Sequence, residues 1–116
     1  MRVVVQGTND FDDYQIFLRA IGVSLSSLKE DDFEVTVYSL GPANVHSFVS
    51  EFCNISERGM KARGKKIKFF KANTEWLEEN ISYIDYFVYL SKPSQPFSKS
   101  YYLAKNNNVE TGIFQY

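Results

Sequence analysis

Cysteine and histidine are almost missing from this chain: 116 residues contain one of each, Cys53 and His46. A lone cysteine forms no intrachain disulfide, and two such residues are too few ligands for a zinc cage. No apolar run approaches the ~20 residues of a membrane span. The formal charge is only −1, so no net field draws the chain to nucleic acid or to a membrane surface. After Met1-Arg2-Val3-Val4-Val5 the sequence turns polar at Gln6, too soon for the apolar region of a signal peptide. These absences predict a soluble protein of a reducing, cytoplasmic compartment without membrane contact.

What is present is an apolar share of 44% and an aromatic share of 16%, which exclude disorder. The length fits one domain of roughly 100–150 residues, so 1–116 read as a single unit with one core. Val3-Val4-Val5 has the continuous apolarity of a central strand covered on both faces. Asp12-Asp13 then offer a helix start, with Tyr14, Phe17, Leu18, Ile21, Leu25 and Leu28 at helical spacing. Phe33, Val35, Val37 and Ser39 alternate with Glu34, Thr36 and Tyr38 as a second strand.

Asn44 is a candidate cap for a second helix with the stripe Val45, Phe48, Val49, Phe52 and Cys53, ending before Lys65. Ile67, Phe69 and Phe70 form a third strand, and Asn73 or Thr74 starts a helix through Trp76, Leu77 and Ile81. Tyr86 to Leu90 is a fourth strand, Phe97 to Lys105 a fourth helix and Val109 to Tyr116 a fifth strand. Strands alternating with helices predict an α/β fold: a doubly wound, Rossmann-like α/β/α sandwich on a mostly parallel five-stranded sheet.

In such sheets ligands bind beyond the carboxyl ends of the strands, where strand order reverses. Three loops reach that edge: Gly7-Thr8-Asn9-Asp10, Gly41-Pro42-Ala43-Asn44 and Ser91-Lys92-Pro93-Ser94. Glycine lets a backbone approach a ligand closely, and the following helix N-terminus offers free N–H groups to an anion. The plainer alternative is that Gly7 and Gly41 only permit tight turns.

The segment Val3-Val4-Val5-Gln6-Gly7-Thr8-Asn9-Asp10-Phe11-Asp12-Asp13-Tyr14 resembles the opening of the SLOG superfamily, especially its YspA-like members. Gly7, Thr8, Asp10, Phe11 and Tyr14 fit the family's strand, glycine turn and helix. Gly41-Pro42-Ala43-Asn44 falls where its second glycine motif lies, Phe70 to Trp76 resembles its third-strand exit, and Asp85 matches an acid that often precedes strand four. The resemblance implies strand order 3-2-1-4-5 and a nucleotide or nucleotide-derived ligand, with no further cofactor. Relatives include DprA-like DNA-processing proteins and cytokinin-activating phosphoribohydrolases. Asn9 stands where the family usually has a phosphate-pairing arginine, and the second motif lacks paired glycines. The phosphoribohydrolase motif has no counterpart after strand four, so that activity is not expected.

Other groups have two readings each. Asp10, with Asp12 and Asp13, could hold a ribose, a divalent ion or a proton for N-glycosidic chemistry, or serve as helix-start acids. His46 has no evident nucleophile or orienting partner and reads as a surface or capping residue. Cys53 reads as core. The run Arg58, Lys61, Arg63, Lys65, Lys66, Lys68 and Lys71 could bind nucleic acid non-specifically, or form a solvated helix end and a guarded edge strand. Ser91, Lys92, Ser94, Ser98 and Lys99 could form a second anion site at a helix N-terminus. Tyr101, Tyr102, Phe114 and Tyr116 exceed what one helix stripe and an edge strand bury, which predicts a homo-oligomer, most simply a dimer.

The leading expectation is therefore a non-catalytic binder of a nucleotide-type ligand held by Gly7, Thr8, Asn9, Asp10, Gly41, Asn44, Ser91 and Lys92. A protein-interaction module that kept the fold and lost the ligand is the alternative. An N-glycosidic enzyme using Asp10 comes third. The size suits a small accessory protein, such as a virus or mobile element carries.

Overall fold

The β-branched and aromatic runs form strands and the amphipathic stretches between them form helices. The computed structural model describes residues 1–116. In chain order the elements are β1 (Arg2–Gln6), α1 (Tyr14–Leu25), β2 (Glu34–Leu40), α2 (Ala43–Ala62), β3 (Lys66–Ala72), α3 (Thr74–Asn80), a 3-10 turn (Ile81–Tyr83), β4 (Tyr86–Ser91), α4 (Lys99–Asn106) and β5 (Glu110–Gln115). All strand pairs are parallel and the order is β3-β2-β1-β4-β5, as expected. Val3, Val4 and Val5 of the central strand are completely buried. No helix is long and apolar enough to cross a membrane.

Alternation along each strand sends side chains to two separate cores. Val3, Val5, Val35, Val37, Val88 and Leu90 pack beneath α1 and α2 with Phe17, Ile21, Val45, Val49 and Cys53. Val4, Leu40, Phe87 and Tyr89 pack on the other face with Leu77 of α3 and Tyr101 and Ala104 of α4. Cys53 is 2% exposed, and burial pushes its thiol up to about 12.

Several local readings shift. Asp13, Asn73 and Ser98 cap their helices through side-chain oxygens, but Asn44 does not: Pro42 occupies the cap of α2 without a side-chain bond, and Asn44 lies inside the first turn. α1 stops at Leu25, yet Leu28 still packs against the core. α4 begins at Lys99 rather than Phe97, because the Ser98 side chain accepts from the N–H of Tyr101 and sets the start there. The surplus of rings is mostly consumed internally. Tyr101 is buried and Phe114 and Tyr116 are half-buried against the α1–α2 side, leaving Tyr102 as the exposed one of the four.

Candidate functional site

α1 and α2 lie on one face, carrying the chain outward from β1 to β3, while α3 and α4 lie on the other and lead into β4 and β5. The winding therefore reverses between β1 and β4. Their carboxyl ends, Gln6 and Ser91, flank the crevice where ligands of open α/β sheets bind. Of the expected residues, Thr8, Asp10 and Lys92 meet at its mouth. The Lys92 ammonium donates to Asp10 Oδ2, and Thr8 Oγ1 donates to Asp10 Oδ1 at 2.6 Å. Tyr116 closes over them: its hydroxyl lies against Thr8 Oγ1 and 3.1 Å from Asp10 Oδ1, so the two hydroxyl protons are shared among three contacts, and its ring packs edge-on against Phe11 at 4.8 Å.

This pairing decides the electrostatics. The Lys92 hydrogen bond first, and that of Thr8 second, hold the Asp10 carboxyl far below the usual carboxylate range, while Asp10 in turn raises Lys92. Paired in this way, the Asp10 carboxylate is ionised at neutral pH and directed at Lys92. Asp10, Asp12 and Asp13 fail to gather as metal ligands, since Asp13 Oδ1 is committed to the N–H of Ile16 at 3.1 Å.

Gly7 and Gly41 come together, but against the protein itself. A Cβ on Gly7 would lie 2.8 Å from Val45 Cγ2, and one on Gly41, whose φ is +130°, would lie 3.0 Å from the Gly7 carbonyl oxygen. The two loops thus approach backbone to backbone, with α2 packed behind Gly7. Close chain packing accounts for both glycines. Asn44 has a related role: its side-chain amide donates to the carbonyls of Phe11, Asn9 (3.3 Å) and Thr8 (3.4 Å), fixing the Gly7 loop onto α2. Asn9 itself is exposed.

Ser91 is different. It is 1% exposed, and its Oγ is the one buried side-chain polar atom without a hydrogen-bond partner. Leu90 belongs to the α1–α2 core and Tyr89 to the α3–α4 core, so alternation turns Ser91 toward α4. On that side Ser98 Oγ donates to Gln6 Oε1 at 2.6 Å and the Ser98 N–H donates to the Tyr89 hydroxyl at 3.0 Å. The N–H groups of Lys99 and Ser100, first in α4, have no acceptor within the chain. Gln6, Ser98 and the start of α4 thus gather near the carboxyl ends of β1 and β4, with Ser91 buried and Lys92 partly exposed beside Asp10.

The basic run does not form one surface. Lys65 is 6% exposed, and its ammonium donates to the carbonyls of Lys29 (2.9 Å), Glu30 (3.2 Å) and Asp32 (2.8 Å). Lys68 pairs with Glu34 at 3.2 Å. Alternation on β3 puts Lys66 and Lys68 on the α3–α4 face and Lys71 on the α2 face. Lys61, Lys65, Lys66 and Lys68 line a cavity of about 350 Å³ along β3, but Glu57 shares it. Arg58 and Arg63 are exposed on the last turns and C-cap of α2.

His46 is half-buried rather than a surface or capping residue. Its Nδ1 shares a hydrogen bond of 2.6 Å with Ser39 Oγ, and burial first and Lys71 second lower its pKa, keeping the imidazole neutral at neutral pH. Ser39 is 2% exposed and also reaches the Phe70 carbonyl at 3.4 Å, so this serine–histidine pair ties α2 to β2 rather than presenting a nucleophile. Sequence reading missed Ser39, Gln6 and the role of Tyr116. Comparison with protein-family models, with curated proteins and with solved structures finds no match.

Proposed function

We propose that the chain binds a small nucleotide-derived anion in the crevice between β1 and β4, without catalysing its turnover. The observation that carries this reading is the orphaned Ser91 hydroxyl. A buried hydroxyl without a partner costs about 1–3 kcal/mol, a cost that an acceptor brought in by a ligand would relieve. A phosphate or carboxylate there would accept from Ser91 Oγ and the N–H groups of Lys99 and Ser100, with Lys92 exchanging Asp10 for the ligand. The resemblance to the SLOG superfamily points to the same ligand class.

A second reading, a protein-interaction module, is favoured by the Asp10–Lys92–Tyr116 closure and by glycines already explained through packing. One experiment separates the two. A thermal-shift screen of nucleotides, cyclic nucleotides and ADP-ribose derivatives should give at least one hit, worth ~2.7 kcal/mol at one hundred times its dissociation constant. Ser91→Ala should lose the hit while leaving the unliganded protein as stable as before or more so, because an unpaired buried hydroxyl has been removed. No hit in the wild-type protein favours the interaction module.

A further inference from the structure

The sheet has a second ring-rich region, far from the crevice. On the α3–α4 face, β2 and β3 are only partly covered. Tyr38 stacks on Phe70, with centroids 5.9 Å apart and planes at 27°, and Trp76 of α3 lies 4.2 Å from Tyr38 at 34°. Phe70 is 51% exposed and Tyr83, in the 3-10 turn, 61%. Arg2, Tyr38, Trp76, Asn80, Tyr83 and Ile84 line a cavity of about 210 Å³. Apart from Ile84 the walls are three aromatic side chains and two polar ones. This is the usual make-up of a small-ligand pocket: apolar walls and a few polar groups that fix orientation.

The polar groups have unspent capacity. Asn80 Nδ2 donates to the Trp76 carbonyl at 2.8 Å, which orients the amide and leaves Oδ1 to accept. The Arg2 guanidinium lies 5.5 Å from the centre of the Tyr83 ring and has no carboxylate partner. A flat ring with hydrogen-bonding edges suits these walls: it lies against the aromatic wall of Tyr38, Trp76 and Tyr83, and its edge meets Asn80 and Arg2. At about 210 Å³ the cavity falls below the ~300–1,000 Å³ of drug-sized sites, so it admits one ring system rather than an extended molecule.

Surrounding charge narrows the class further. Glu75, Glu78 and Glu79 are exposed on α3, and Lys68 is neutralised by Glu34. Neutralising phosphates along a strand takes uncompensated cations, and here the acids outnumber them. We infer that this cavity is a binding site for an uncharged heteroaromatic small molecule of nucleobase or nucleoside type. The site is separate from the β1–β4 crevice and does not depend on the function proposed for it.

The chain supplies its own reporter, because Trp76 is its single tryptophan. Adenosine, inosine, cytidine and uridine should be titrated while Trp76 fluorescence is followed, with corrections for absorbance taken from a free tryptophan derivative. At least one nucleoside should produce a saturable change. Tyr83→Ala, at an exposed position that tolerates truncation, should weaken that nucleoside about tenfold, the scale of one lost stacking ring. Arg2→Met should weaken it as well, and Lys92→Met and Ser91→Ala should leave it unchanged. No saturable change with any nucleoside overturns the inference, as does a change indifferent to Tyr83→Ala. Loss of the response in Lys92→Met or Ser91→Ala would move the nucleoside to the crevice. Tighter binding of a thymidine oligonucleotide with steep salt dependence would make the surface a nucleic-acid one instead.

Discussion

The two faces of the sheet are drawn from the same five strands yet are finished in opposite ways. Beneath α1 and α2, which run 12 and 20 residues, fifteen buried residues form one continuous core. Beneath α3 and α4, of 7 and 8 residues, the core has eight, and β2 and β3 keep their outer aromatics in contact with solvent. Helix length accounts for the difference: ~1.5 Å of rise per residue gives α2 about 30 Å of cover and α3 about a third of that. The well-covered face supplies most of the packing, and the short helices leave part of the other face open to solvent.

The largest expected effect tests that division directly. Phe17→Ala, deep in the α1–α2 core, should cost ~3–5 kcal/mol in urea unfolding. Phe70→Ala, on the open face, should cost less than ~1 kcal/mol. Equal losses would break the comparison by making the open face part of the core. Gly7→Val comes next. Its added carbons would press on Val45 Cγ2 and drive α2 from the sheet, costing ~1–3 kcal/mol by overpacking. A neutral result would show that α2 yields at its N-terminal end.

The smallest effect belongs to the crevice mouth, where the faces meet. Because the folded Asp10 carboxyl titrates lower than in the unfolded chain, its contribution is fully present above the ordinary carboxylate range. That contribution fades as the pH falls from about 4 toward the lower folded value. Lys92→Met should flatten this part of the acid-unfolding curve and return Asp10 toward ordinary titration, as followed by carboxyl NMR shifts. An unchanged titration would mean that Thr8 and Tyr116 hold the carboxylate without the lysine.

The elements were legible because periodicity is local, in alternating or helical stripes; the order of the sheet came from the family resemblance, with which the uninterrupted valine triplet of a central strand agrees. The convergence of Thr8, Asp10 and Lys92 was legible from topology alone. Their closure was not, since Tyr116 lies 106 residues from Asp10 and nothing local announces the bond. Asn44 read as a cap because its type and place fit one, and only the nearby Gly7 loop gave its amide better acceptors. Lys65 read as one cation of a solvated run because a lysine's burial depends on carbonyls more than thirty positions away. His46 was misplaced although its partner Ser39 is only seven positions away, because the pair forms only once α2 packs on β2.

Lys65 also answers the scarcity of cysteine. With one thiol the chain has no covalent staple, yet the three donors of this ammonium bind the turn at 29–32 to the root of β3, closing a loop across 36 positions. Shutting a loop of that length carries an entropic cost that grows only slowly with span, and these three hydrogen bonds offset part of it on folding, without constraining the unfolded chain as a disulfide does. Unlike a disulfide, this cross-link does not depend on redox potential, and it can open and reseal without an oxidant.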